Sequence, residues 1–180
     1  MSWERAIKFT LPWEGGFADH PADRGGPTNM GITQGALDAA YKRGIVKHRN
    51  VRALSKDEAL VIYRANFWEP HDWGRYGEPV DMIMFDICVN HGMGGAAKIA
   101  QRACVSCGVD VAIDGKWGPR TREALYTMAW RNGLFLSKML LIKRLNYYDK
   151  IVSARPSQKV FLKGWCNRTR ALAKAAGVKM

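Results

Sequence analysis

Residues 17–35 restrict the possible folds of this chain more than any other stretch, because they show no helical period. The stretch is rich in glycine and contains Pro21 and Pro27. Glycine and proline favour turns, so the pattern predicts a loop that carries a small two- or three-stranded hairpin. The segment that best fits a strand is Met30-Gly31-Ile32-Thr33. Most of the remaining chain has helical periodicity, and we therefore expect a mainly α fold with a small β-hairpin near the amino terminus.

The first helix is predicted from apolar spacing. Trp3, Ala6 and Ile7 lie three and four residues apart, as on one face of an amphipathic helix. Pro12 lacks a backbone N–H group, so the helix either kinks there or Pro12 begins a new short turn.

The later helices are predicted from their caps and breaks. Ser55-Lys56-Asp57-Glu58 has the pattern of a capping box, and Pro119 suits the first position of a helix. Glycines from residue 92 onward predict a break between two helices. The predicted helices span about 34–42, 56–69, 79–91, 95–107, 119–131 and 134–152, and a last one follows Pro156.

The length and charge of the chain indicate how it is organised. With 180 residues, 47% of them hydrophobic, it has enough apolar side chains for one domain or for one domain with a closely packed second lobe. We expect a lobe at 1–78 and a basic helical lobe at 79–180. Residues 1–90 carry a net charge of −1, whereas residues 91–180 carry 17 Lys and Arg against four Asp and Glu, a net +13. This asymmetry favours a cationic half that attracts a polyanion, and the alternative is a merely solvated basic surface.

The cysteines and the apolar runs exclude several classes of protein. The four cysteines include one close pair, Cys104 and Cys107, where a zinc site of the usual kind needs two such pairs. Buried thiols are therefore expected, with no metal and no other cofactor. No apolar run approaches the roughly 20 residues of a membrane span, and the amino terminus does not resemble a secretory signal. These features predict synthesis in a cytoplasm.

Glu14 is the strongest candidate for chemistry. It follows the first helical segment and precedes Gly15 and Gly16. A carboxylate at the carboxyl end of a helix faces the negative pole of the helix dipole, and Trp13 and Phe17 beside it would reduce its hydration. Both effects favour the protonated form that a general acid needs, and glycine allows a polymer to approach the backbone closely. The alternative is an exposed glutamate at a helix end.

A second catalytic group would have to handle water or stabilise positive charge. Asp23 is the better candidate and Asp19 the weaker one, and the hydroxyl of Thr28 or Thr33 could hold a water molecule. Alternatively, Asp23 only stabilises a turn through an Asx hydrogen bond.

The opening motif resembles a known family. Glu14-Gly15-Gly16-Phe17, the run from Gly25 to Thr33 and the run from Tyr63 to Pro70 are similar to glycoside hydrolase family 108. These N-acetylmuramidases occur in bacteriophage endolysins and in bacterial secretion-associated proteins. The resemblance implies a lysozyme-like helical fold, Glu14 as proton donor, and cleavage of the β-1,4 bond between N-acetylmuramic acid and N-acetylglucosamine. The order Glu14, Asp23, Thr28 is also similar to inverting phage lysozymes, although Thr28 comes one residue early.

The basic half resembles the peptidoglycan-binding region that accompanies this family. The similarity lies in the runs 85–92, 100–103 and 114–121. Trp117 could stack on a sugar, or it could be buried in the core at the start of a helix. His91 is expected to be structural. The candidate substrate-binding residues are Gly15, Gly16, Asn29, Trp68, Asn90 and Trp117.

The carboxyl-terminal segment reads as a basic amphipathic helix. Six Lys and Arg and no acid lie between Lys159 and Met180, interleaved with apolar residues. The helix could contact an anionic envelope, or it could dock on the protein with a solvated basic face.

Two other functions stay open at this point. One is a lytic transglycosylase, which needs a single Glu and no carboxylate to position water. The other is a non-catalytic basic protein that binds cell wall or nucleic acid, although no nucleic-acid-binding motif supports the latter. The expectation that fits the resemblance best is a monomeric endolysin made in the host cytoplasm, which reaches the peptidoglycan through a membrane pore.

Overall fold

The computed structural model describes residues 2–19 and 26–180. The chain forms two compact units, one of Ile7–His71 and one that joins the residues up to Ala6 with Asp72–Met180. The division between 78 and 79 expected from the sequence stays a prediction. Each unit is described by itself.

The unit Ile7–His71 contains the hairpin and short helices. Helix α1, Ser2–Thr10, runs into it and is followed by a 3₁₀ turn at Leu11–Trp13 with Pro12 near its start. Of the two alternatives for Pro12, the structure therefore shows the new short turn. Strands β1 (Thr28–Asn29) and β2 (Ile32–Thr33) pair antiparallel.

The predicted strand at residues 30–33 is half wrong. Met30 and Gly31 form the two-residue turn of the hairpin, with φ of +48° and +71°. Two successive positive φ angles are typical of a type I′ turn, whose twist matches that of the flanking strands. Only Ile32–Thr33 is a strand.

Side-chain caps fix the two helices that follow. The Thr33 hydroxyl accepts a hydrogen bond from the Ala36 N–H at 3.1 Å and begins α2, Gln34–Lys42, within the predicted limits. Ser55 and Glu58 form the predicted capping box of α3, Lys56–Tyr63. Helix α3 continues as a π-helical segment, Arg64–Trp68, and a 3₁₀ turn, Glu69–His71.

The core of this unit joins the hairpin to the helices. Ile32 of β2 is 2% exposed, and Leu37 of α2 and Ile62 of α3 are fully buried. One face of the hairpin thereby belongs to the core of this unit.

The other unit consists of long helices. Helix α4, Val80–Ser106, is interrupted at Gly92, where φ is +66° and ψ is 169°. Helix α5, Pro119–Ala154, is interrupted at Asn132, and α6 spans Lys159–Ala175. These interruptions fall at the boundaries predicted from the sequence. The mainly α fold with a small hairpin is confirmed.

A buried ionic cluster connects the three long helices. Asp86 of α4 contacts the Arg144 guanidinium of α5 at 2.6 Å and the Arg168 guanidinium of α6 at 2.7 Å. Burial raises the pKa of Asp86, but the two guanidiniums outweigh it, so the pKa lies below its ordinary value.

The cysteines are thiols. Cys88 and Cys104 are buried, and Cys107 and Cys166 are half-buried. Burial raises the pKa of Cys88 and of Cys104 to about 12, which keeps both thiols protonated and unreactive.

Within the described ranges, no helix is both long enough and apolar enough to cross a membrane.

Candidate functional site

Glu14 lies directly after the 3₁₀ turn Leu11–Trp13. Its backbone N–H donates to the Leu11 carbonyl at 3.1 Å, which closes the turn. The residue is half-buried, and its Oε1 atom is shielded from solvent. A carboxyl group that is shielded in this way can keep a proton transfer away from bulk water.

Gly31 at the hairpin turn packs directly against the Glu14 side chain. A Cβ atom at position 31 would lie 2.8 Å from Glu14 Oε2 and 3.1 Å from Glu14 Cβ. The same atom would lie 2.5 Å from the hydroxyl of Tyr63. Any side chain here would displace the carboxyl group or the phenol, so the site requires glycine for space as well as for its positive φ.

Tyr63 holds this turn in place. The phenol is 1% exposed, and its hydroxyl donates to the Met30 carbonyl at 2.9 Å. The carboxyl group of Glu14, the turn and the phenol thus form one packed cluster. Tyr63 is not among the site residues predicted from the sequence, because no spacing rule links positions 14, 31 and 63.

The strand β1 is anchored on both sides. Thr28 exchanges two backbone hydrogen bonds of 2.8 Å with Ala18 and lies opposite Thr33 in the hairpin. The buried Asn29 amide donates to the Val51 carbonyl at 3.1 Å. Asn29 therefore has a structural role, and its contact with substrate stays a prediction.

The two candidate threonines differ in what their side chains do. The Thr33 hydroxyl caps α2, as described above. Thr28 is half-buried on the same hairpin as the turn that touches Glu14. Thr28 and Thr33 are equally half-buried, and a role for either in holding a water molecule stays a prediction.

The surface beside Glu14 is open. Gly15 and Gly16 are exposed, and a Cβ atom on either would meet nothing within 4 Å. Trp13 is 41% exposed and lies against Phe9, whereas Phe17 is 37% exposed under the Arg52 guanidinium, 4.3 Å from its ring centre. Such an open, aromatic surface can admit a polymer and stack on its sugars.

The other predicted residues of this unit are placed as follows. Asp23 lies outside the described residues, in the gap 20–25, and its role stays a prediction. Asp19 is exposed. Trp68 is 8% exposed and belongs to the core. Its predicted contact with substrate stays a prediction.

Asn90 and Trp117 belong to the helical unit. The Asn90 side-chain oxygen accepts from the Tyr148 hydroxyl at 2.9 Å and from Arg144 at 3.2 Å. Trp117 is half-buried with its ring 5.1 Å from that of Trp73, centre to centre. Their predicted contacts with substrate are not tested by these positions.

The turn before Trp117 is held by a buried glutamine. Gln101 donates from Nε2 to Asp114 at 2.8 Å and to the Thr121 hydroxyl at 3.0 Å, and it accepts from the Gly115 N–H at 2.9 Å. This network fixes the turn and the start of α5.

His91 packs in the helical unit between two aromatic rings. The ring centres of Tyr147 and Tyr148 lie 5.2 and 5.0 Å from that of His91. Burial, with a smaller contribution from Arg144, lowers the pKa of His91 to about 3. The imidazole is neutral near pH 7, which agrees with the structural role expected for it.

In the described ranges 2–19 and 26–180, no group of three or more His, Cys, Asp or Glu side chains is arranged to hold a metal ion.

Known proteins match both parts of the chain. Residues 7–92 match the family model "Glycosyl hydrolase 108", and residues 95–170 match "Predicted Peptidoglycan domain". The solved structure of SagA from Brucella abortus is similar over 97% of this chain and 93% of that chain, with 31% sequence identity and a TM-score of 0.73. No curated protein matches this sequence. The likeness to SagA over nearly the whole chain confirms the predicted lysozyme-like, mainly α class of fold.

Proposed function

Because the chain belongs to the glycosyl hydrolase 108 family, it is a glycoside hydrolase that acts on peptidoglycan, and we propose that Glu14 is its general acid. We further propose that the bond cleaved is the β-1,4 bond between N-acetylmuramic acid and N-acetylglucosamine. The observation that carries the proposal is the Glu14 carboxyl group, packed against the hairpin turn and beside an open glycine surface.

The chemistry follows from the needs of glycoside hydrolysis. The leaving glycosidic oxygen must receive a proton as its bond to the anomeric carbon breaks. In this proposal the Glu14 carboxylic acid donates that proton, and a water molecule attacks the anomeric carbon. The packing of Glu14 against the turn that Tyr63 holds supports this role, because a general acid must lie within hydrogen-bond distance of the oxygen that it protonates.

A second group would direct the water. We propose Asp23 as the carboxylate that accepts the proton of the attacking water or stabilises the positive charge on the sugar. The Thr28 hydroxyl would orient the same water molecule. The position of Thr28 on the hairpin that contacts Glu14 supports its part in this proposal.

The other contacts of the substrate are proposed on the same basis. Gly15 and Gly16 would border the glycan strand, and the predicted peptidoglycan domain would bind the polymer elsewhere. Asn29, Trp68, Asn90 and Trp117 stay candidates for substrate contact.

Mass spectrometry of the soluble fragments tests the reaction directly. Purified peptidoglycan is digested, and half of the product is reduced with borohydride. Hydrolysis at the proposed bond yields N-acetylmuramic acid ends that borohydride reduces. Reducing ends of N-acetylglucosamine would contradict the proposed bond.

The same fragments separate hydrolysis from a lytic transglycosylase. A transglycosylase yields anhydro ends that are one water lighter and resist reduction. Anhydro ends together with full activity of Asp23→Ala would overturn the hydrolase proposal. We expect reducible ends and a loss of activity in Asp23→Ala.

We also propose that the chain acts as a monomeric endolysin, released from a host cytoplasm through a membrane pore, with its basic last helix near the anionic envelope. Expression in bacteria with and without a pore-forming protein tests this role. Lysis only in the presence of the pore is expected, and lysis without it would contradict the proposed release.

A further inference from the structure

A cavity outside the Glu14 site lies between two helices of the helical unit. Its volume is about 310 Å³. The later part of α4 contributes Arg102 and Val105, and α5 contributes Lys143, Tyr147 and Lys150. Ile113, from the loop between the two helices, closes one side.

The lining follows from helix spacing. Lys143, Tyr147 and Lys150 are four and three residues apart and therefore share one face of α5. Arg102 and Val105 are three residues apart and share one face of α4. The two faces meet at the cavity, so its chemistry is built into two helices rather than into a mobile loop.

The charged part of the lining is entirely cationic. It consists of Arg102, Lys143 and Lys150, and none of the described residues that line the cavity is acidic. Like charges brought close together repel one another unless an anion lies between them. The cavity is therefore suited to an anionic ligand.

Arg102 adds a second, independent indication. Its Nη1 atom is shielded from solvent and has no hydrogen-bond partner among the described residues. A shielded donor without an acceptor is unfavourable, and more so on a charged group. A carboxylate in the cavity would offer an acceptor to this guanidinium, and two carboxylate oxygens match its two outer nitrogens.

The remaining walls are apolar and accessible. Val105 is 43% exposed and Ile113 is 46% exposed, so both present apolar surface at the cavity. The Tyr147 ring is held edge-on against His91, with the ring centres 5.2 Å apart. These side chains offer contact to a small alkyl group beside the carboxylate.

We propose that this cavity binds the carboxyl end of a short peptide with small alkyl side chains. Given the proposed function, on which this assignment rests, the ligand is the acidic stem peptide of peptidoglycan. Cations beside an apolar wall fit a terminal alanine, whose methyl group and carboxylate are adjacent. The cavity would then bind the peptide of the polymer, whereas the Glu14 site acts on its sugar chain.

Binding of a sugar-free peptide tests the proposal independently of catalysis. The probe is N-acetyl-D-alanyl-D-alanine, titrated into the full chain and followed by nuclear magnetic resonance. Its carboxyl-terminal amide serves as the uncharged control, and glycerol phosphate as the other anion found in cell walls. Neither peptide contains a glycosidic bond, so a failure of the hydrolase proposal leaves the measurement unaffected.

Three variants and a matched control locate the site. We expect Lys143→Gln and Lys150→Gln to weaken binding of the peptide acid, and Arg102→Gln to weaken it at least about tenfold. Lys138→Gln removes an exposed lysine of α5 that does not line the cavity and should leave the affinity unchanged. The two lysine variants keep the test valid if Arg102→Gln fails to fold.

The proposal is overturned if the peptide acid does not bind. It is also overturned if the amide or glycerol phosphate binds as tightly as the acid, or if Lys138→Gln weakens binding as much as Lys143→Gln does.

Discussion

At the scale of single residues, Gly31 connects the hairpin to the chemistry. Its positive φ forms the turn, and its missing side chain leaves room for the Glu14 carboxyl group and the Tyr63 hydroxyl. These two demands can be separated by experiment, because Gly44 has the same φ of +71° but nothing within 4 Å of its Cβ position.

We predict that Gly31→Ala lowers kcat by about 10- to 100-fold, since a small displacement of a catalytic group is enough for such a loss. Gly44→Ala should destabilise the fold by about 1–2 kcal/mol through its φ and leave kcat near that of the wild type. Steady-state lysis rates and thermal melts measure both effects. Equal kcat values for the two variants would show that Gly31 serves only the turn.

The sequence predicts Glu14 but not the residues that surround it. A carboxylate after a helical segment and before two glycines is a local pattern, and local patterns can be read from the chain. The cluster of Glu14, Gly31 and Tyr63 joins three distant positions, and no periodicity relates them. Trp13 and Phe17, the expected aromatic cover, are both partly exposed.

At the scale of helices and strands, the sequence predicts most of the boundaries correctly. The Ser55 capping box, the break at Gly92 and Pro119 at a helix start all act through the backbone of their own neighbourhood. The assignment fails at Met30–Gly31, where the apolar pattern suggests a strand but two positive φ angles form a turn. Methionine has no intrinsic preference for that conformation, so only the packed hairpin selects it.

The long helices are joined by an interaction that no local pattern reveals. Asp86 is 58 positions from Arg144 and 82 from Arg168 in sequence. With one carboxylate against two guanidiniums, removal of the carboxylate takes this counter-charge from two buried cations at once.

We therefore predict that Asp86→Ala lowers the free energy of unfolding by about 3–5 kcal/mol at pH 7. The pKa of Asp86 in the folded protein is below its ordinary value of about 3.9. The ionised carboxylate therefore contributes fully to the free energy of unfolding above about pH 3.9, and this contribution is lost as the pH falls through the folded-state pKa. The difference in the free energy of unfolding between Asp86→Ala and the wild type should therefore become smaller in acid. Urea unfolding at several pH values measures it.

Asp149→Ala is the control, because Asp149 is an exposed acid of α5. It should change the stability by no more than about 0.5 kcal/mol. A similar effect of both substitutions would mean that the buried cluster adds nothing beyond a general charge effect.

At the scale of the whole molecule, the charge asymmetry is the dominant feature. The net charge is +12, and residues 91–180 carry all of the excess. Peptidoglycan and its attached polymers are anionic. The sequence alone establishes this asymmetry, whereas the cationic cavity within it depends on the pairing of α4 with α5.

We predict that binding to purified cell walls weakens as salt rises from about 0.1 M to about 1 M, since the Debye length falls from about 10 Å to about 3 Å. Sedimentation of walls with the Glu14→Gln variant measures binding without digestion. Replacing Lys159, Lys163 and Lys174 by Gln should reduce the dependence on salt. Binding that does not change with salt would mean that stacking and shape dominate.

The central claim is that Glu14 donates the proton. Glu14→Gln keeps the size of the side chain and removes only its acid, and Glu69→Gln is the control because Glu69 is an exposed glutamate paired with Arg64. Both variants should fold with wild-type circular dichroism. The most direct measurement is the rate at which each variant solubilises purified peptidoglycan: we predict a loss of at least about a hundredfold for Glu14→Gln and none for Glu69→Gln, whereas wild-type activity of Glu14→Gln would contradict the assignment.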